Sequence, residues 1–399
     1  MSVAVHNPDQ YMGSLRQIIA QGRKRIGLLV GAGGPASISA GNGAPLIPTT
    51  EDLTRTVLAA LNDRYGETLN EIRIELTNPN IENILSHVRT LGSVIGTTKI
   101  HSLDAEEYGV LGEAICDEIG KIANQMLPDG VTPYSDVVAW ISGTERGHAI
   151  EIFTTNYDLL FEQALERAKA PYFDGFTGAS EPFFDPSSVA NDDLPPRWTR
   201  LWKLHGSLGW KTNARREVIR TAESTASHLV FPEHLKYDQT QKAPYAALFD
   251  RLRAFLMLPD TLLIVIGFSF VDAHVSSRID ECLSANPSAS VFAFQFRVLD
   301  QENSACDIAS RRANMSVYAP DKAMINGIVA PWLPGDPPTR DWGPIRAGFW
   351  DSLPGASAPS FLLGDFKSLA RFFAASRSAQ VYAVAPAPGS AAAGPTVAS

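Results

Sequence analysis

Leu28-Leu29-Val30-Gly31-Ala32-Gly33-Gly34-Pro35-Ala36-Ser37 is the stretch that decides the fold. An apolar run stops abruptly in small residues, which is the pattern of a buried strand that ends in a phosphate-binding turn. Glycine has no Cβ, so the chain can bend sharply there and ligand phosphates can approach the backbone N–H groups. The pattern predicts an α/β protein with a nucleotide site at the end of its first strand.

Three later segments repeat this form, an apolar run followed by a polar turn. They are Ile150–Asp158, Leu201–Gly209 and Leu262–Asp272. A further strand is predicted at Val291–Phe296 and a weaker one near Val317. The alternation of helices and strands predicts a Rossmann-like, mostly parallel sheet with helices on both faces. Ligands of such sheets bind at the carboxyl ends of the strands, so we expect the site to lie along these turns.

We divide the chain by composition and periodicity into four parts. They are a nucleotide-binding domain (1–50 and 148–330), an α-helical insertion (51–147), an irregular and helical C-terminal extension (331–378) and a disordered tail (379–399). The insertion shows helical periodicity and no convincing strand. The extension should contain a helix over Phe361–Phe373, and the tail is too rich in Ala, Pro, Gly and Ser to order itself. The segment Pro182–Pro196 is predicted to be a long loop, either a lid or a connector.

The bulk composition excludes several classes of protein. The chain has 399 residues, 45% apolar and 19% charged, as expected for a globular protein with a substantial core. Its formal net charge of −9 argues against general nucleic-acid or acidic-membrane binding. Cys116, Cys282 and Cys306 lie far apart, so neither a structural zinc site nor a disulfide framework is expected. The chain shows no signal-peptide pattern and no apolar run of the roughly 20 residues that span a bilayer, so we expect a cytoplasmic protein.

Polar residues that could carry chemistry follow the second and third of the four strands. Thr155, Asn156 and Asp158 stand between a strand and a helix, where Asn and Asp are also ordinary turn and capping residues. His205 stands at a strand end with Gly206 behind it. A single histidine is more often structural, but its near-neutral pKa suits proton transfer.

Two acidic positions and the fourth turn add weaker signals. Glu51 and Asp52 lie about 20 residues after the glycine turn, the offset of a ribose-binding acid in dinucleotide-binding folds. They also begin a helix, where acids favour the N-terminal dipole, and we prefer this second interpretation. Gly267 allows close backbone approach, Ser269 offers a hydroxyl, and Asp272 is interpreted as a helix cap.

Together and in this order, the four turns resemble the sirtuin superfamily. Gly31-Ala32-Gly33 is similar to its Gly-Ala-Gly loop, Thr155-Asn156-Tyr157-Asp158 to its Thr-x-Asn-x-Asp motif, His205-Gly206 to its His-Gly motif and Gly267-Phe268-Ser269 to its Gly-x-Ser loop. The similarity covers about residues 26–300 and matches the helical insertion poorly. Within the superfamily the chain most resembles bacterial sirtuin-like proteins of antiphage defence, which destroy NAD and commonly work with a partner such as a HerA-type ATPase.

This resemblance implies an NAD+ glycohydrolase that cleaves NAD+ to nicotinamide and ADP-ribose and acts in antiphage defence by depleting NAD+. Asn156 and His205 would be the catalytic residues, the first orienting water and ribose hydroxyls and the second accepting a proton. NAD is then the substrate, and no zinc is expected. The NAD-binding residues would come from all the turns except the third: Gly31, Ala32, Gly33, Gly34, Ser37, Thr155, Asp158, Gly267 and Ser269.

Two departures from the superfamily bear on the substrate. The chain lacks the four-cysteine zinc module of protein-deacylating sirtuins, and residues 43–50 contain no arginine where those enzymes have one. We therefore rank an NAD-dependent protein deacylase below an NADase. The other alternative is a subunit that binds NAD or ADP-ribose without turnover, and a dehydrogenase is less favoured still.

Partners are predicted only in part. A homo-oligomer is expected, whereas a HerA-type ATPase partner is implied by the resemblance alone. Neither membrane association nor sequence-specific nucleic-acid binding is expected.

Overall fold

The structure, a computed structural model, describes residues 4–41, 43–191, 193–215, 217–221, 244–351 and 359–376. The predicted disordered tail lies outside these residues. Within them, none of the helices combines the length and apolarity needed to cross a membrane. Nor do any three His, Cys, Asp or Glu side chains of these residues form a group that could hold a metal ion.

The first half of the chain contains a strand, a run of long helices and then further strands. In chain order the elements are α1 (Pro8–Gln21), β1 (Arg25–Val30), α2 (Gly33–Ala36), β2 (Ser39–Ala40), β3 (Ala44–Pro45), α3 (Thr50–Glu75), α4 (Ile81–Val94), α5 (Ala105–Ala123), α6 (Pro133–Ser142), β4 (Glu151–Thr154), α7 (Leu160–Arg167), β5 (Tyr172–Phe173), β6 (Phe176–Thr177), β7 (Phe183–Phe184), α8 (Pro186–Asn191) and β8 (Thr199–Lys203).

The second half alternates more regularly between strands and helices. Its elements are β9 (Trp210–Thr212), β10 (Val218–Arg220), α9 (Tyr245–Met257), β11 (Thr261–Ile266), α10 (Ala273–Ala285), β12 (Ser290–Phe294), α11 (Asn303–Arg311), β13 (Met315–Tyr318), β14 (Lys322–Ile325), β15 (Ile328–Pro331), α12 (Trp342–Arg346), β16 (Trp350–Asp351), β17 (Ser360–Phe361) and α13 (Phe366–Ser376).

Nine of the described strands form one sheet in the order β15-β14-β13-β12-β11-β1-β4-β8-β5. Neighbouring strands from β5 to β13 run parallel, and β14 and β15 extend the sheet with antiparallel pairing. The chain adds β4, β5 and β8 on one side of β1, and then β11, β12 and β13 on the other. This topology confirms the predicted Rossmann-like, mostly parallel sheet.

Both faces of the sheet are buried because its strands are largely apolar. Along β1, Leu28 points into one core and Leu29 into the other, since neighbouring residues of a strand face opposite sides. Helices α1, α6, α7 and α13 pack into the first core, and α9, α10 and α11 into the second. Helices therefore cover both faces, as a parallel sheet requires.

A buried ion pair attaches α9 to the sheet. Arg251 of α9 is 4% exposed and donates from Nε and Nη2 to the two carboxylate oxygens of Glu151, at 2.8 and 2.5 Å. The indole N–H of Trp202 donates to Oε2 of the same carboxylate at 2.7 Å. Since Glu151 begins β4, this network anchors the strand that leads to Asn156.

Helices α3, α4 and α5 form a third core, which we call the helical module (residues 50–123). Two residues that follow strands of the sheet, Tyr157 and Leu208, also enter this core. The Tyr157 hydroxyl donates to Oε1 of Glu82 in α4 at 2.9 Å. The helical module therefore packs against the carboxyl edge of the sheet.

Helix α6, within the predicted insertion, packs into the first sheet core rather than into the helical module. It contacts α13, where Trp140 stacks on Phe373 with ring centroids 4.7 Å apart. Trp332, Trp342 and Trp350 of the C-terminal extension are buried in the same core. The described part of the extension is thus integral to the main body, while the division of the chain into domains stays a prediction.

Two local predictions were wrong. Pro182–Pro196 contains β7 and the short helix α8 rather than an uninterrupted loop, because Asp185 caps that helix by accepting the Ser187 N–H at 3.0 Å. The helix predicted over Phe361–Phe373 begins at Phe366, since Phe361 pairs with Trp350 in a two-stranded sheet. The small antiparallel sheet β6-β7-β10-β9 has no clear signal in the sequence because its strands are only two or three residues long.

Candidate active site

The turns after four adjacent strands meet at the carboxyl edge of the sheet. Strands β8, β4, β1 and β11 are neighbours in that order, and each leads into one of the four predicted turns. The strand order reverses around β1, and the crevice at such a reversal is where open α/β sheets bind ligands. The topology therefore gathers the predicted turns at one edge.

The turn after β1 packs directly against the turn after β11. The Gly31 N–H donates to Ile266 O and the Gly33 N–H to Gly267 O, each at 3.0 Å. The Gly34 N–H donates to Gly31 O at 2.9 Å. A Cβ at Gly33 would lie 2.6 Å from Gly267 Cα, so two glycines are needed for this approach. These three N–H groups are engaged within the protein, and their contact with phosphate stays a prediction.

Asn156 is fixed over the first glycine turn. Its Nδ2 donates to Gly31 O at 3.0 Å, and its backbone N–H donates to Oγ1 of Thr154 at 3.0 Å. The Thr154 hydroxyl donates in turn to Val30 O at 2.8 Å. This chain of hydrogen bonds ties the end of β4 to the end of β1 and leaves Oδ1 of Asn156 as an acceptor.

Asp158 and Lys203 stabilise the turn after β4 from within the protein. Oδ1 of Asp158 accepts the Leu160 N–H at 3.0 Å and so caps α7. Lys203, the last residue of β8, donates to the backbone carbonyl of Asp158 and to the carboxylate of Glu162. Burial raises the pKa of the Asp158 carboxyl, and the charge of Lys203 offsets this only in part. Lys203 was not predicted as a site residue, although a lysine at the end of a buried strand is an available signal.

His205 lies in a buried position just beyond β8. It is 3% exposed, and the ring centroids of Tyr157 and Phe249 lie 6.5 and 6.4 Å from its own. Gly206 behind it has φ +93, a left-handed conformation that favours glycine. Nε2 of the imidazole lies 2.9 Å from Oδ2 of Asp272, at the distance of an ion pair but without the alignment of a hydrogen bond. Nδ1 has no hydrogen-bond partner among the described residues.

The charges of His205 and Asp272 reinforce each other. Burial by itself would lower the pKa of the imidazole, but the carboxylates of Asp272 and Glu82 raise it above its ordinary value. Burial by itself would raise the pKa of the Asp272 carboxyl, but His205 and two backbone N–H groups hold it below its ordinary value. Asp272 was predicted only to be a helix cap, because nothing in the chain spacing links it to His205.

A cavity of about 890 Å³ lies between these turns and the helical module. Seven of the predicted site residues line it, at least one from each turn: Ala32, Thr155, Asn156, Asp158, His205, Gly267 and Ser269. Gly31, Gly33, Gly34 and Ser37 are not among the lining residues, and the Ser37 hydroxyl donates to Gly34 O at 2.7 Å. The cavity thus brings together Asn156 and His205, the two predicted catalytic residues.

The helical module contributes polar lining residues that the sequence analysis mostly did not single out. They are Thr50, Glu51, Thr54, Arg55, Arg73, Asn78, Asn80, Glu82 and Asn83. Arg297, from the main body, adds a further guanidinium group. Such residues are ordinary on an exposed helix face, so only their position in the fold distinguishes them.

Comparison with known proteins finds a similarity in the part of the chain that carries most of these turns. Residues 150–315 match the family model of the SIR2-like domain. A search of curated protein sequences finds no match. Among solved structures, the chain is similar to one described as "Structural Basis for the Mechanism and Regulation of Sir2 Enzymes", with 13% identity and a TM-score of 0.35, covering 72% of this chain and 85% of that one.

The family match includes the turns after β4, β8 and β11, and therefore Asn156, His205 and Ser269. This part of the chain is therefore similar to the SIR2-like domain, and the similarity favours an NAD-related function. The glycine turn after β1 lies before the matched residues and is joined to them through the sheet.

Proposed function

We propose that this protein is an NAD+ glycohydrolase, which cleaves NAD+ to nicotinamide and ADP-ribose. The observation that carries the proposal is the buried imidazole of His205, which lines the same cavity as Asn156. Its Nδ1 has no hydrogen-bond partner among the described residues. An unsatisfied buried polar atom costs about 1–3 kcal/mol, so such an atom is expected to meet water or a ligand.

The size of the cavity and the three arginines in its lining suit a dinucleotide. Its volume of about 890 Å³ falls within the range of small-molecule sites, roughly 300–1,000 Å³. Arg55 and Arg297 pair with Asp52 and Glu302, and together with Arg73 they supply guanidinium groups, which bind phosphate oxygens well. The carboxylates of Asp272 and Glu82 act on His205, which would gain positive charge when it accepts a proton. The pyrophosphate is therefore proposed to lie toward the arginines and the nicotinamide ribose toward His205.

The proposed reaction consumes one water molecule. The bond between ribose C1′ and the nicotinamide nitrogen breaks with its electron pair leaving on nicotinamide, and a bond forms between C1′ and the water oxygen. The positive charge that develops at C1′ is like that of glycoside cleavage. Asn156 orients the water and ribose hydroxyls, since its Nδ2 is fixed by Gly31 O. His205 accepts the proton that the water loses, and such general-base help is typically worth about 10²–10⁴-fold.

The wider role we propose is antiphage defence through depletion of cytoplasmic NAD+. In this proposal the enzyme is a homo-oligomer that works with a HerA-type ATPase, and the support is the resemblance of the four turns to sirtuin-like defence proteins. A HerA-like gene beside the gene for this chain, and copurification of the two products, would support the partnership. Purification of this protein without the HerA-like gene product would contradict the partnership.

A nicotinamide-release assay on the purified protein, alone and with the neighbouring gene product, tests the activity. The wild type should release nicotinamide and ADP-ribose in equal amounts. Asn156→Ala and His205→Ala should each lose about 10²-fold or more in rate. Asn62→Ala, at an exposed position of α3 outside the cavity lining, is the matched control and should keep the wild-type rate. Full activity in both site variants would refute the assignment.

The same assay separates the alternatives. Nicotinamide release that requires an acylated peptide would identify a protein deacylase. Saturable binding of NAD without product, with and without the partner, would identify a sensor or assembly subunit.

A further inference from the structure

Two residues far apart in the chain meet at the carboxyl edge of the sheet. His205 follows β8 and Asp272 precedes α10, and their strands β8 and β11 are separated in the sheet by β4 and β1. Nε2 of His205 nevertheless lies 2.9 Å from Oδ2 of Asp272, with side chains 3% and 18% exposed. The contact has the distance of an ion pair without the alignment of a hydrogen bond.

Asp272 uses its two oxygens differently. Oδ1 accepts the N–H groups of His274 and Val275, at 2.9 and 3.3 Å, and so caps α10. Oδ2 has no part in the cap and faces the imidazole of His205. Asparagine caps helices as well as aspartate does, so the cap by itself does not require a carboxylate.

The turn that precedes Asp272 is held in a strained conformation. Phe270 has φ +59, which is uncommon for a residue with a side chain, and its carbonyl accepts the Ser276 hydroxyl at 2.9 Å. Strained backbone of this kind persists only where the surrounding structure holds it, and it concentrates at functional sites. We therefore interpret the strained conformation of Phe270 as part of the turn that places Asp272 opposite His205.

We propose that Asp272 is the positioning residue of His205, holding the imidazole by Nε2 so that Nδ1 is the atom that meets the substrate or water. This inference rests on the proposed function for what His205 does, but the pairing itself stands on the geometry. Nδ1 is buried, has no hydrogen-bond partner among the described residues and belongs to a residue that lines the cavity. In the neutral imidazole Nδ1 then accepts the proton, while Nε2 carries its own proton toward Asp272.

The groups around His205 set the expected pH dependence. The carboxylate of Asp272 faces the imidazole from the start of α10, and the carboxylate of Glu82 acts on it from α4. The ring of Tyr157, which follows β4, lies beside the imidazole. The ring of Phe249, in α9, also lies beside it and carries no charge. The two carboxylates raise the pKa of the imidazole against its burial. A base must lose its proton to act, so the rate of nicotinamide release should rise with pH through this raised value.

The test compares Asp272→Asn with Asp104→Asn. Asp104 also caps a helix, accepting the Glu106 and Glu107 N–H groups at the start of α5, but it lies outside the cavity lining. Both variants keep a good capping residue, and only the first removes a charge from His205. The pKa of His205 is measured by NMR on histidine-labelled protein, and His205→Gln identifies its signal among the 8 histidines.

The expected result is that His205 titrates at lower pH in Asp272→Asn than in the wild type and Asp104→Asn. The pH profile of nicotinamide release should move in the same direction, with kcat reduced by up to the roughly 10²–10⁴-fold that general-base help supplies. An unchanged His205 titration in Asp272→Asn would overturn the proposed pairing, whether or not NAD+ is cleaved. A lowered titration with no nicotinamide release from any form would uphold the pairing and refute the NADase function.

Discussion

The contact between the two glycine turns predicts a graded response to alanine. Gly33→Ala places a Cβ 2.6 Å from Gly267 Cα, a collision with backbone that no side-chain rotation relieves. Gly267→Ala places a Cβ 2.8 Å from Gly33 Cα and also puts alanine at φ +65. Gly130→Ala is the matched control, since Gly130 has φ +88 but no described atom within 4 Å of the position that its new methyl group would take. The three variants therefore separate the collision from the backbone conformation.

The magnitudes follow from these two effects. A left-handed conformation costs an alanine roughly 1–2 kcal/mol, and an extra methyl group in a closely packed region costs about 1–3 kcal/mol. Gly130→Ala should then lower the free energy of unfolding by about 1–2 kcal/mol and Gly33→Ala by about 1–3 kcal/mol. Gly267→Ala suffers both effects and should lose about 2–5 kcal/mol, their sum.

Urea unfolding in the absence of ligand, followed by tryptophan fluorescence, measures these differences. With the slope of free energy against urea unchanged, the shift of the midpoint reports the loss of stability. Binding of NAD+ is measured in parallel. If Gly33→Ala unfolds at the wild-type urea concentration but no longer binds NAD+, the glycine serves the ligand rather than the contact between turns, and the predicted collision is refuted.

Three further predictions concern single side chains. Glu151→Gln removes the carboxylate that neutralises the buried guanidinium of Arg251 and should lower the free energy of unfolding by about 3–5 kcal/mol, whereas an unchanged urea midpoint would contradict the ion pair. Tyr157→Phe removes a hydrogen bond to the carboxylate of Glu82 and should cost about 1.5–3 kcal/mol by the same measurement, with an unchanged circular dichroism spectrum. The raised pKa of His205 contributes stability below the ordinary histidine pKa that is lost as the pH rises through the raised value. The advantage of the wild type over His205→Gln in urea should therefore shrink as the pH is raised from 6.5, and a constant difference would be evidence against the charged pair.

Much of the main sheet could be predicted because its signal is local. A strand buried on both faces must be apolar at nearly every position, as Leu28 and Leu29 illustrate by entering opposite cores. The polar or glycine-rich turns mark where such strands end. By contrast, β6 and β7 are too short to show an alternation of apolar and polar residues. The residue at which α13 begins depends on the pairing of Phe361 with Trp350, which the sequence does not indicate.

The helices were predictable as helices but not in their packing. The periodicity of residues 51–147 predicts helical structure, yet α6 joins the sheet core while α3, α4 and α5 form their own. An amphipathic face fits any apolar surface of suitable shape, so periodicity does not identify its partner. For the same reason, the contribution of Arg55 and Glu82 to the cavity has no signal in the sequence.

The amino-acid sequence by itself determined which residues end the strands, and parallel pairing then brings Asn156 and His205 to the same edge of the sheet. Only the tertiary structure decided that Asp272 faces His205 and that the N–H groups of Gly31 and Gly33 are used by the neighbouring turn. Local patterns arise from the burial of each segment, whereas these contacts depend on which segments lie side by side. The spacing of residues along the chain does not indicate which segments lie side by side.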